Sequence, residues 1–111
     1  MRLRTFVLCL ATVAAATCVQ AAYDANMRGP LEGFYVYADG DHVYFRLQNQ
    51  PTSHNGCNPA YFVIPASVPA DRRKAMLARL SLAFALQEQV NIGYAANGDC
   101  AHGYINVYRV G

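Results

Sequence analysis

Residues 31–48 read Leu31-Glu32-Gly33-Phe34-Tyr35-Val36-Tyr37-Ala38-Asp39-Gly40-Asp41-His42-Val43-Tyr44-Phe45-Arg46-Leu47-Gln48. Two runs of aromatic and β-branched residues flank Asp39-Gly40, and such residues favour a pleated, half-buried surface. The dipeptide predicts a hairpin, because a tight turn needs positive φ. The second run alternates without a break. Val43, Phe45 and Leu47 face one way, and His42, Tyr44, Arg46 and Gln48 the other, as a half-buried strand requires. Residues 31–38 form its partner strand, with Tyr35 and Tyr37 out of phase with Phe34 and Val36.

Upstream, residues 22–30 hold Asp24, Asn26, Gly29 and Pro30 without periodicity and read as a lead-in segment. Before them the chain carries a leader pattern. Arg2 and Arg4 precede an apolar run from Phe6 to Ala16, and Val19-Gln20-Ala21 supplies the small-x-small pattern cut by signal peptidase. Cleavage is expected after Ala21, with Ala22 the next choice. Residues 1–21 are then a signal peptide and residues 22–111 a single disulfide-closed domain, exported to the periplasm or the medium. A transmembrane anchor is the alternative, but the run is shorter than the roughly 20 apolar residues that cross a bilayer. A lipid anchor at Cys18 is disfavoured by Ala15-Ala16-Thr17 before it.

Removal of Arg2 and Arg4 from nine basic residues leaves seven, against seven acidic ones. A neutral domain has no global field to neutralise phosphates, so no nucleic-acid partner is expected. A domain of this size gains from a covalent tie. Cys57 and Cys100 remain after cleavage, and an oxidising compartment favours a bridge between them. His54-x-x-Cys57 and Cys100-x-His102 offer the alternative of a zinc site with two sulfurs and two imidazoles, although the spacing is loose.

Downstream of the hairpin, residues 49–59 are a polar loop of turn residues and Tyr61 to Ile64 a short apolar strand. Residues 69–87 switch to helical spacing, with Met76, Leu77, Leu80, Ala83 and Phe84 in one stripe. Pro69 suits the first turn, Ser67 or its surroundings can cap, and Asp71 suits the positive end of the dipole. Arg72, Arg73, Lys74 and Arg79 form a basic cluster, either a solvated face or a site for an anionic partner. Residues 89–95 return to period two through Val90, Ile92 and Tyr94. Asn97-Gly98 is a second hairpin signal, and residues 103–110 are the last strand. Five strands with one helix between the third and fourth have the order of a five-stranded OB-like Greek-key barrel, a mainly β fold. In that barrel the third and fifth strands are parallel neighbours, which brings Cys57 and Cys100 to one end. An open antiparallel sheet with the helix on one face is the alternative.

No nucleophile elbow, HExxH, phosphate loop or dinucleotide fingerprint is present, so neither catalysis nor a cofactor is expected. An acid–base pair of His54 and His102 is conceivable across the bridge. Tyrosine is the more suggestive residue, with eight copies and no tryptophan. Tyr35, Tyr37 and Tyr44 are expected on the outer surface as binding residues, with Tyr104 and Tyr108 at the other end of the barrel. A tyrosine ring joins a flat apolar face to a hydroxyl, which suits stacking on a sugar or a protein interface, while plain β-propensity accounts for it equally well.

The runs Gly56-Cys57-Asn58-Pro59-Ala60-Tyr61-Phe62-Val63-Ile64, Lys74-Ala75-Met76-Leu77 through Ala83, Val90-Asn91-Ile92-Gly93-Tyr94, Gly98-Asp99-Cys100 and Tyr104-Ile105-Asn106-Val107 resemble small exported bacterial proteins related to the B subunits of subtilase-type and pertussis-like toxins. The resemblance covers about half the chain. It implies an OB-fold with a disulfide and, as in the toxin members, rings of five that bind cell-surface glycans. No glycan-contact motif of that family can be placed on this chain residue by residue. The expected function is thus a non-enzymatic exported binding module, with a glycan or a protein as its ligand and similar to a toxin B subunit. The alternative is a small periplasmic inhibitor or structural protein that binds a partner protein.

Overall fold

A computed structural model describes residues 23–111; the expected signal peptide lies outside the described residues. The elements run β1 (Ala25–Val36), β2 (Val43–Leu47), β3 (Asn58–Ile64), α1 (Ala70–Leu86), β4 (Gln89–Tyr94), β5 (Cys100–Ala101) and β6 (Tyr104–Val110). Strands β1, β2, β3, β6 and β4 close on one another as a five-stranded barrel, and β5 adds a two-residue hairpin arm to β6. The OB-like barrel with its single helix is therefore the fold, and the open sheet is excluded by the parallel β3–β6 pairing.

Strand β1 carries the closure, because its two halves serve different partners. Ala25 to Pro30 pair with β4, and Leu31 to Val36 pair with β2. The handover falls at Pro30, whose carbonyl accepts from the Gln48 N–H at 2.9 Å. Proline has no N–H to offer a second ladder, so it suits a position where one pairing ends. A bulge follows between Leu31 and Gly33. It shifts the inward phase from Leu31 to Phe34, which packs partly buried on the core.

This overturns the reading of residues 22–30 as a lead-in. Met27, Gly29 and Leu31 do alternate inward, but a glycine at the centre hides the pattern. A Cβ on Gly29 would meet the amide end of the Asn49 side chain, which would have to move to admit a larger residue. The Asn49 side chain crosses at this point to donate to the Arg28 carbonyl at 2.9 Å.

The core is the inner face that the alternation of β2 marks. Phe45, Leu47, Phe62, Ile64, Leu80, Val90, Ile92 and Ile105 are wholly buried. Gln50 is the one buried polar side chain among the described residues. Its Oε1 accepts from Leu47 N–H at 3.0 Å and its Nε2 donates to the Pro59 carbonyl at 2.9 Å, so both ends of the amide are satisfied. Helix α1 covers the barrel with Leu80 and Ala83 buried and Met76 and Leu77 beside them. Phe84 is about half exposed at 47% and meets Phe34 edge-on. No side chain caps the helix start. Arg73 instead reaches back to the carbonyls of Ala66 (3.0 Å) and Val68 (2.8 Å). Arg79 meets Glu88 at 3.3 Å. Two of the four basic residues, Arg73 and Arg79, are thereby engaged by local partners.

Cys57 and Cys100 are joined, with their Cα atoms 5.5 Å apart. The bridge ties the start of β3 to β5, one strand earlier than expected for Cys100. The turns also differ from expectation. Asp39-Gly40 lies in a six-residue loop between β1 and β2, and Gly40 does not take positive φ. The two-residue hairpin is His102-Gly103, at φ 50° and 79°, between β5 and β6. Both positive values mark the type I′ turn that matches strand twist.

Candidate functional site

Because β2 turns Val43, Phe45 and Leu47 inward, Tyr44 faces out, directly opposite Tyr35 of β1. The parallel pairing of β3 with β6 then adds two more rings. The register breaks between Asn58 and Phe62, and this leaves Tyr61 on the outer face beside Tyr104. Tyr44 sits 6.3 Å from Tyr61 and 5.9 Å from Tyr104, and Tyr61 sits 5.5 Å from Tyr104, all edge to face. Such perpendicular contacts place the positive ring edge against the negative face of the next ring. The β1–β2 loop closes one side with Tyr37, 5.4 Å from Tyr44, and with Asp39, Gly40 and His42. The β5–β6 turn adds His102, whose ring meets that of His42. Together these residues line a cavity of about 450 Å³, within the usual range for small-ligand sites.

Two of the three expected binding residues, Tyr37 and Tyr44, line this pocket. Tyr35 does not; it flanks the pocket, 42% exposed, with its ring edge-on to Tyr61 at 6.0 Å. Tyr104 was expected at the other end of the barrel and is instead part of the cluster. Tyr108 does lie apart, stacked on Tyr23 at 6.0 Å and donating to Asp99. That hydrogen bond, with burial, raises the phenol above its ordinary range.

The histidines also regroup. His102 touches His42, with ring centroids 3.7 Å apart, whereas the expected pairing was with His54. His54 is committed to the loop before β3: its Nδ1 accepts from Cys57 N–H at 3.2 Å and its Nε2 donates to the Ala95 carbonyl at 2.7 Å. His42 Nδ1 accepts from Ala66 N–H at 3.1 Å. That bond assigns the neutral ring the Nε2–H tautomer. Burial is the largest cause holding His42 below the ordinary imidazole range. The neighbouring His102 and Arg73 act in the same direction and Asp41 in the opposite one.

The sequence marks Asp39 only as a turn residue, Tyr61 only as part of a strand and His42 only as outward-facing, and it offers His102 only as a partner of His54 or a zinc ligand. The alternation of β2 does place His42 on the face of Tyr44, and His102-Gly103 is itself a turn signal, so both had a local trace. The Tyr61–Tyr104 contact had none, since it depends on the broken register of a non-local parallel pair.

Both sulfurs of the supposed zinc set are taken up in the bridge, and among the described residues no group of three or more His, Cys, Asp or Glu stands where it could hold a metal. No helix of the described residues is long and apolar enough to cross a membrane. Comparison with protein-family models, curated proteins and solved structures finds no match to this chain.

Proposed function

We propose that this domain is an exported, non-enzymatic binding module that seats a glycan in the tyrosine–histidine pocket. The observation that carries the reading is the pocket itself: four tyrosines from β2, β3, β6 and the β1–β2 loop converge on one cavity of about 450 Å³. Their rings offer apolar faces for the C–H surface of a pyranose. Their hydroxyls, the Asp39 carboxylate and the His42 Nε2–H offer partners for its hydroxyl groups. The signal-peptide pattern and the disulfide support export. The kinship to toxin B subunits, with self-association into rings, belongs to the same proposal and rests on the residues quoted for it.

A glycan array probed with the purified domain tests the reading. Saturable binding is expected, and Tyr44→Ala should weaken it at least about tenfold while far-UV circular dichroism stays unchanged. Tyr35→Ala should weaken it less, because Tyr35 only flanks the cavity. Binding that survives Tyr44→Ala at full strength would locate the ligand elsewhere.

The alternative, an inhibitor or coating protein for a partner, draws on the outer side of α1. Leu82 and Leu86 are 54% and 58% exposed there. In that case the domain should co-purify with a periplasmic protein, and Leu82→Glu should release it.

A further inference from the structure

Resting on the pocket reading, we propose that this site selects by charge: it accepts uncharged sugars and rejects glycans that end in a carboxylate or sulfate, with Asp39 as the selecting residue. Asp39 is the one acidic side chain on the lining, and the lining contains no lysine or arginine. None of the three ion pairs among the described residues involves Asp39. The guanidinium groups nearby are already engaged. Arg46 pairs with Glu32 at 2.6 Å and lies over the Tyr61 ring at 5.7 Å. Arg73 donates to two carbonyls and sits 3.9 Å from Asp41.

The tyrosines and His42 on the lining point the same way. Tyrosine faces carry negative potential. His42 is kept in its neutral tautomer by the Ala66 N–H, since protonation would set two donors against each other. An anionic sugar would thus meet a like charge and no fixed counter-charge, and like-charge opposition is a general means of rejecting wrong partners. A neutral sugar suits the same wall, because a carboxylate is an acceptor with two oxygens and hydroxyl groups are donors.

The test is a matched pair of probes, N-acetyllactosamine and its 3′-sialylated form, titrated at pH 7.5 against the wild-type domain, Asp39→Asn and Tyr44→Ala. The wild type should prefer the neutral probe by about tenfold or more, the equivalent of 1.4 kcal/mol. Asp39→Asn should bring the ratio near one. Asp39 lies in an exposed loop, so that variant should fold, and circular dichroism checks this. Equal or tighter binding of the sialylated probe, abolished by Tyr44→Ala, overturns charge selection while leaving the pocket in place. An unchanged ratio in Asp39→Asn removes Asp39 as the selector and overturns the proposal as well. If a panel of neutral and acidic probes finds no binding to the wild type, the pocket reading falls with it.

Discussion

Adjacent residues on the same two strands make two aromatic pairs that differ in nearly everything else. Phe45 and Phe62 face inward, are wholly buried and lie 5.5 Å apart with a 30° tilt. Tyr44 and Tyr61, one residue before each, face outward, stay half-buried and stand at 90° across 6.3 Å. The inner rings carry no polar atom, so they can lose water on every side at no hydrogen-bonding cost. The outer rings end in a hydroxyl that keeps a partner only where water or a ligand can reach. The choice of Phe or Tyr at alternate positions thus separates the wall that stabilises the barrel from the wall that is open to binding.

The contrast breaks most sharply under truncation. Phe62→Ala should lower the free energy of unfolding by about 3–5 kcal/mol, as for other buried aromatic residues. Tyr61→Ala should lower it by only about 1–2 kcal/mol, through lost edge-to-face contact and partial burial. Urea denaturation measures both. Equal losses would show that the outer rings are a second core and not an open surface.

The bridge tests whether either wall depends on the covalent tie. Replacing Cys57 and Cys100 together with Ala should lower stability by about 2–5 kcal/mol. The strands should persist in circular dichroism, because β2 alternation and the α1 stripe are set by residues that the bridge does not touch. Free thiols titrated in the folded, oxidised protein would contradict the bridge outright.

The smallest effect sharpens the outer wall alone. His42 has a folded-state pKa below its unfolded value of about 6.5. As pH falls through 6.5, the unfolded chain takes up this proton first, so stability declines until pH passes below the folded value. His42→Asn offers Ala66 N–H an oxygen acceptor without the titration. The variant should lose less stability than the wild type between neutral pH and mild acid. Identical pH profiles for the two proteins would place the slope on other groups.

Much of the fold was legible because it is written in local periods. The alternation Val43-Phe45-Leu47 and the stripe through Leu80 and Ala83 each arise within one element, and both hold in the structure. The first half of β1 was not legible. Gly29 removes the inward side chain that would have shown the period, and Pro30 looks like a terminator although it serves as the handover between two partners. The site was legible in part. Tyr37 and Tyr44 follow from the hairpin, but Tyr61, Tyr104 and His102 join them only through the parallel pairing of β3 with β6. A register break of that kind leaves no mark on either strand alone.

That pairing also governs the order in which the molecule is built. β1 and β2 are joined by six residues and can meet early, whereas β3 and β6 are separated by the helix and by β4. Closing such a distant contact is slow, since its entropy is lost before its contacts form. In the oxidised chain Cys57 and Cys100 already hold the two segments near each other, so refolding with the bridge intact should outpace refolding of the reduced chain. Tyr44 comes from the early hairpin and Tyr104 from the late strand. The pocket therefore does not exist until the barrel has shut, and a ligand that needs both rings recognises only molecules that have completed folding.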